Sequence, residues 1–358
     1  MHTNLEALGW DSWFEARAGL LGDRAAGVAR PARVAAVDRD QLLLLDETGA
    51  FRGRLSGRFL HAAGAAAERP CVGDWVAVEK TAGEPFGVVH GVFERKTGLR
   101  RKTAGDSVEH QMIAANVDFV IIVQSCHFDF NLRRLERYLV MVWEGGATPS
   151  VLLTKTDLVA PEVLAGQLEE IRSAGIAASV STLSNVTREG VEELRRQLLP
   201  GKTYCFVGSS GVGKSTLING LLGRDRLDTK AVSGTGEGRH TTVRRELLVL
   251  ENGAMVIDNP GMRELGLLGA ESGIEASYPD IGELASQCRF RDCTHANEPG
   301  CAIRAALESG ALDAGHYENF LKLKSESEYL QMSYAEKRKK EKDFGRFIKS
   351  VQKRLRED

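Results

Sequence analysis

At 358 residues, with 42% hydrophobic and 27% charged side chains, the chain is long enough for two or three domains, and its ordinary composition excludes a fibrous repeat or wholesale disorder. A net charge of -2 gives no global attraction to phosphate backbones, so a nucleic-acid partner must be met by local basic patches. No apolar run is long enough to span a bilayer, the start MHTNLEALGWDSWFEAR lacks a secretory signal's basic and apolar regions, and six cysteines are too few for a disulfide scaffold; a cytoplasmic protein with no membrane contact is expected.

Trp10, Trp13 and Phe14 lie close together and suit a short helix packed against the strands after it. From about Pro31 to Arg95 the chain reads as short strands, Ala32 to Val37, Leu42 to Leu45 and Val76 to Val78, separated by turns such as Asp46-Glu47-Thr48-Gly49 and Val72-Gly73-Asp74. Short strands without intervening helices predict a small β-barrel. At Val117 the pattern changes to strands alternating with helices: VDFVIIVQS, a helix carrying Leu132, Leu135, Leu139 and Val142 on one face, strand Ser150 to Leu153, helix Pro161 to Ala174, strand Ile176 to Ser181, a helix from about Glu189, and strand Tyr204 to Val207. That alternation predicts a parallel, doubly wound α/β sheet, whose ligands bind beyond the carboxyl ends of the strands.

The motifs fall at those ends. Thr154-Lys155-Thr156-Asp157 offers a carboxylate, Asp157, to the N1-H and N2 amino group of guanine and a lysine, Lys155, to pack on the base. Its first residue departs from the usual Asn, and Thr154 supplies a hydroxyl in place of a carboxamide, with weaker support of the phosphate loop expected. Ser181 and Thr182, after the next strand, are expected as a third base-contacting loop. Gly208-Ser209-Ser210-Gly211-Val212-Gly213-Lys214-Ser215, followed by Thr216, matches the phosphate-binding loop G-x-x-x-x-G-K-[ST] between an apolar strand and an apolar helix. Its glycines turn backbone N-H groups onto the phosphates, Lys214 neutralises β- and γ-phosphate charge, and the Ser215 hydroxyl suits Mg²⁺.

The glycine-rich segment Gly234 to Thr242 reads as a switch, with Thr241 or Thr242 completing the Mg²⁺ shell and His240 beside them. Strand Glu246 to Leu250, the hairpin turn Asn252-Gly253 and Met255-Val256-Ile257-Asp258-Asn259-Pro260-Gly261 come next; Asp258 is placed to hold Mg²⁺ through water and the Gly261 N-H to meet the γ-phosphate. Base recognition at residue 154 precedes the phosphate loop at 208, whereas ordinary Ras-like chains have the reverse order, so the nucleotide domain is circularly permuted.

Further on, Cys288-x4-Cys293-x-His295-x5-Cys301 offers three thiolates and one imidazole, the donor set of a closed, structural tetrahedral zinc site, in a stretch with too few large apolar residues to fold without a staple. The chain ends on a charged run in which residues 335–358 hold ten Lys/Arg against five Asp/Glu, read either as a solvated helix or as an RNA-facing tail.

Together, Val72-Gly73-Asp74-Trp75-Val76, Ile113-Ala114-Ala115-Asn116-Val117-Asp118, Arg134-x-x-Arg137-Tyr138-Leu139-Val140, the phosphate loop, Gly238-Arg239-His240-Thr241-Thr242, Asp258-x-Pro260-Gly261 and the Cys/His quartet resemble the RsgA (YjeQ) family of small-ribosomal-subunit-dependent GTPases over most of the chain. The resemblance implies a multidomain protein: an N-terminal OB-fold barrel with its extension over 1–100, a circularly permuted P-loop GTPase domain over 101–270, and a zinc-binding, mostly α domain with a basic C-terminal helix over 271–358. It implies GTP with Mg²⁺, one structural zinc, the small ribosomal subunit and its rRNA as partners, and a late assembly factor that leaves on GTP hydrolysis; a monomer is expected. Arg52, Arg54, Arg58, Arg95, Lys96, Arg100, Arg101 and Lys102 are available around the barrel for RNA. Met262 stands where Ras-like enzymes carry the water-orienting glutamine, so intrinsic turnover should be slow, with His240 the candidate catalytic residue once the ribosome orders the switch. A nucleotide-regulated RNA-binding module, a metal-delivery GTPase and an ATPase are the competing readings.

Overall fold

The computed structural model describes residues 4–18, 29–39, 41–62, 66–81, 86–102, 110–223, 245–258 and 269–332, and a few positions beyond. Among these residues no helix is long and apolar enough to cross a membrane.

Helix α1 (Ser12–Ala18) buries Phe14 beside Trp10, and both rings pack on Trp75, Trp10 edge-on with centroids 4.9 Å apart. The N-terminal aromatic cluster therefore docks on the barrel as its spacing suggested. That barrel consists of β1 (Arg30–Val37), β2 (Leu42–Asp46), β3 (Gly49–Leu55), helix α2 (Gly57–Ala62), β4 (Trp75–Glu79) and β5 (Phe86–Val92). The strands run β1-β2-β3-β5-β4 and close through β1–β4 around Val34, Leu44, Val76, Val78 and Val89. β3 and β5 escape sequence reading because Arg52 and Arg54 in the one and two glycines in the other break the apolar signal.

The Val72-Gly73-Asp74-Trp75 stretch ties the barrel to the next unit. Gly73 has φ +89°, and a Cβ there would lie 2.1 Å from the Ala115 carbonyl. Asp74, fully buried, accepts from the Cys71 N-H and takes both Nε and a terminal nitrogen of Arg95 at 2.8 Å. Arg95 also donates to the Ala67 and Arg69 carbonyls, so this residue, one of those available for RNA by sequence, is an internal clamp. Of the other basic candidates, Arg52 pairs with Asp38, Lys96 with Asp11 and Arg100 with Glu144, while Arg54 covers Phe86. The Lys102 side chain lies outside the described residues.

A two-stranded hairpin, β6 (Gly98–Lys102) with β7 (His110–Ala115), leads into the α/β sheet. A domain boundary at residue 100 would cut β6. The sheet is built from β8 (Phe119–Ser125), α3 (Leu132–Glu144), β9 (Thr148–Thr154), α4 (Pro161–Ser173), β10 (Ser179–Leu183), α5 (Val191–Gln197), β11 (Thr203–Val207), α6 (Lys214–Leu222), β12 (Glu246–Val249) and β13 (Met255–Asp258). Its order is β10-β9-β8-β11-β13-β12, with β12 antiparallel and the rest parallel. Apolar residues fill both faces: Val120 and Ile122 share a core with Leu135 and Ile171, and Ile121 and Val123 share one with Leu194 and Leu217, which explains the unbroken apolar runs. β10 begins at Ser179, three residues later than the sequence suggested, because the chain turns at Gly175 (φ +66°) and takes its register from Ser150 to Thr154 of β9. At its other edge β12 meets β1 through Ala36 and Glu246, joining barrel and α/β unit in one sheet.

Helices α7 (Glu271–Ser277), α8 (Pro279–Ser286), α9 (Ala302–Ser309) and α10 (Ala314–Gln331) follow. Of these, α7 and α10 pack on α3: a Cβ at Gly273 would lie 2.2 Å from the Val140 carbonyl, Glu144 accepts from Ser272 and Gly273, and Arg137 forms a bidentate pair with Glu326. Buried Glu136 accepts from Asn319 at the same junction.

Candidate functional site

The loop between β11 and α6 turns on three glycines with positive φ, Gly208 (+142°), Gly211 (+79°) and Gly213 (+100°). Gly208 passes so close to β8 that a Cβ would meet the Val123 carbonyl at 2.2 Å. Gly213 caps α6 without a side chain, leaving the first N-H groups of the helix to an anion at the positive end of its dipole. Lys214 is buried, and its Nζ donates to the Gly208 and Ser209 carbonyls at 2.7 and 2.6 Å, at the mouth of the loop. Burial pulls its pKa down to about 8, against the attraction of Asp258 and Asp129.

Asp258 ends β13 directly beside β11, with Phe206 as its register partner. It is 2% exposed, neither carboxylate oxygen has a hydrogen-bond partner among the described residues, and burial raises its pKa against the pull of Lys214. An orphaned buried carboxylate next to the phosphate-loop lysine and serine is what a hydrated divalent cation requires, so the residues present fit Mg²⁺.

On the base side, Thr154 ends β9, fully buried, and its Oγ1 lies 2.7 Å from the Val212 carbonyl of the phosphate loop and 3.2 Å from that of Gln124. The single hydroxyl proton goes to the nearer acceptor, so the expected weakening of loop support is offset by a direct bond. Thr154→Val is expected to leave that carbonyl without its donor, lowering stability by about 1–2 kcal/mol and weakening GDP binding several-fold. Thermal unfolding and GDP titration check this; no change in either would remove Thr154 from the support of the loop.

Lys155 has φ +61° and opens the turn Thr156–Leu158, which presents Asp157. Ser184 donates its hydroxyl to Asp157 Oδ1 and accepts from the N-H groups of Val186 and Thr187 at 3.1 Å, and Asn185 donates to the Gly213 carbonyl. Ser181 and Thr182, expected as the third base-contacting loop, instead lie within β10, paired with Leu152 and Leu153. The later start of β10 carries its end to Leu183, so the loop that reaches Asp157 begins at Ser184. A hydroxyl followed by Asn185 and by Gly190, which needs positive φ (+75°), is the sequence signal for it. His240, Thr241, Thr242, Gly261 and Met262 lie outside the described residues.

The Cys/His quartet converges. The donor atoms of Cys288, Cys293, His295 and Cys301 lie within 4.8 Å of one another, with Cys288 Sγ to Cys301 Sγ 4.0 Å and His295 Nδ1 3.6 and 3.5 Å from these two. Tetrahedral zinc with metal–sulfur bonds of about 2.3 Å places its sulfur ligands about 3.8 Å apart, so the four groups fit the ion. Left-handed backbone at His295 (φ +60°) and Gly300 (φ +77°) curls the loop, and Glu298 accepts from the N-H groups of Thr294, Ala296 and Asn297 to hold it closed.

A six-strand sheet entered at the strand that precedes α3, with the base-side turn ahead of the phosphate loop, defines a circularly permuted P-loop GTPase. Residues 92–268 match the family model for the RsgA GTPase. A relative from Opitutus terrae, "Small ribosomal subunit biogenesis GTPase RsgA", is 44% identical over 91% of this chain and 90% of its own length, and the protein of the same name from Streptomyces coelicolor is 39% identical over 92% and 88%. The crystal structure of YjeQ from Thermotoga maritima superposes with a TM-score of 0.62 at 29% identity, covering 84% of this chain and 98% of that one. YloQ, described as a circularly permuted GTPase, shares the fold with a TM-score of 0.61. The chain belongs to the RsgA GTPase family and is a GTP hydrolase.

Proposed function

We propose that this GTPase is a late-stage assembly factor of the small ribosomal subunit, that the subunit stimulates its turnover, and that hydrolysis triggers its release. The observation that carries this reading is 39–44% identity along nine-tenths of the chain to proteins named for small-subunit biogenesis. In this reading Gly208 to Thr216 and the Gly261 N-H hold the phosphates, and Thr154 to Asp157 together with the loop from Ser184 hold guanine. Ser215, Thr241 or Thr242, and Asp258 through water, would hold Mg²⁺, which neutralises charge on the β- and γ-phosphates. Lys214 exchanges the two loop carbonyls for phosphate oxygens, and its buried position strengthens that attraction. Cys288, Cys293, His295 and Cys301 would hold one structural zinc.

The barrel is assigned as an OB-fold facing rRNA, the unit from about Gly98 to residue 270 as the GTPase domain, and 271–358 as the zinc-bearing helical domain with its basic tail. A monomer in the cytoplasm completes the assignment. Met262 offers no hydrogen bond to water, so the subunit completes the catalytic centre by bringing His240 toward the γ-phosphate. The test is GTP turnover with and without purified small subunits, for the parent and for His240→Ala. Stimulation of the parent that falls by at least tenfold in the variant is expected; equal stimulation of both removes His240 from the mechanism.

A further inference from the structure

The turn between β8 and α3, residues 126–130, is held from several sides. Gln124 donates to the Asn131 carbonyl and accepts from the Asn131 N-H at 3.1 and 3.0 Å, Asn131 caps α3 at the Arg134 N-H, and Asp129 pairs with Arg134 at 2.7 Å. The Cys126 N-H donates to the Thr154 carbonyl and the Cys126 carbonyl accepts from Gln167, so the turn is tied to the strand that carries the base-side motif. On this rigid support stands Phe128, 54% exposed, a large apolar ring that is not folded into either core. Its face is occupied by Lys155, whose Nζ lies 4.5 Å from the ring centroid.

Asp157 and Asp129 are the acidic groups that act on Lys155. Both compete for its ammonium, so a fixed ring is what holds that ammonium against the pull of the two carboxylates. We infer that Phe128 is a positioning residue for guanine nucleotide, holding Lys155 so that its stem forms a flat apolar wall against the base. The inference rests on the reading that Lys155 packs on guanine.

An exposed cation–π contact corresponds to roughly a two- to fivefold change in an equilibrium constant. The release of GDP carrying an N-methylanthraniloyl fluorophore should therefore be about two- to fivefold faster for Phe128→Ala, with KM for GTP raised by a similar factor and kcat nearly unchanged. Phe128→Leu, which keeps bulk without the ring quadrupole, should resemble the alanine variant, and Phe128→Trp should restore parental release. In a Lys155→Ala background, itself faster in release, Phe128→Ala should add nothing. Parental release from Phe128→Ala while Lys155→Ala is fast overturns the inference and leaves the base-side reading standing. An additive effect of Phe128→Ala in the Lys155→Ala background also overturns it. Parental release from Lys155→Ala overturns the base-side reading and the inference with it.

Discussion

Asp157→Asn is expected to weaken GTP binding by roughly three orders of magnitude and to transfer the preference to xanthosine triphosphate. Two donors of guanine, N1-H and the N2 amino group, converge on one carboxylate. An asparagine keeps one acceptor and turns a donor toward the other, leaving a buried donor facing a donor. Xanthine carries an oxygen at that carbon and accepts from the new amide. The substitution is informative because Ser184 fixes the orientation of the side chain from a separate loop, so the amide would occupy the place of the carboxylate. Competition titrations with guanosine and xanthosine diphosphates measure the switch. Unchanged guanine affinity would show that selectivity resides elsewhere, and equal affinity of the parent for ATP and GTP would return the ATPase reading that Thr154 raised.

Removing the metal is expected to unfold α8, α9 and the loop between them while leaving nucleotide binding intact. The core there is small: Ile281, Cys301, Ile303, Ala306 and Leu312 are buried, with Cys288 and Cys293 packed against them. The connecting loop contributes no large buried side chain, and its own hydrogen bonds run largely through Glu298. Zinc binding to such a quartet contributes on the order of 10 kcal/mol of folding free energy. Chelation, or Cys301→Ala, should abolish one zinc per chain and the hydrogen-exchange protection of α8 and α9. Helices α7 and α10 should hold on longer, because Gly273, Glu326 and Asn319 bond to Glu144, Arg137 and Glu136 of α3. Unchanged protection of α9 in metal-free protein would contradict a structural ion; it would also reopen metal delivery.

The site was legible in the sequence where its chemistry is local. A phosphate loop needs glycines and a lysine at fixed spacing, and the Cys/His quartet converges within fourteen residues, so both can be read without a fold. The base side was legible only up to register. Nothing local says that β10 runs to Leu183, since that is set by hydrogen bonds to β9; Ser181 and Thr182, expected as a base-contacting loop, fall within the strand, and the loop that reaches Asp157 begins at Ser184. Long-range pairing was not legible at all. Arg95 reads as a surface cation until Asp74 is seen buried beneath it, and Arg33 as a polar interruption of a strand until its guanidinium is found bonded to Leu8, Asn116 and Thr203. The docking of the C-terminal helices on α3 likewise depends on contacts more than 120 residues apart.

The most direct measurement is steady-state GTP hydrolysis by the zinc-loaded full chain, alone and with purified small ribosomal subunits at saturating concentration. Slow turnover is expected alone, because Met262 cannot orient water, and stimulation by at least tenfold is expected with subunits, followed by release that a non-hydrolysable GTP analogue prevents. Turnover that is the same with and without subunits, or release that proceeds equally with the analogue, would contradict this expectation.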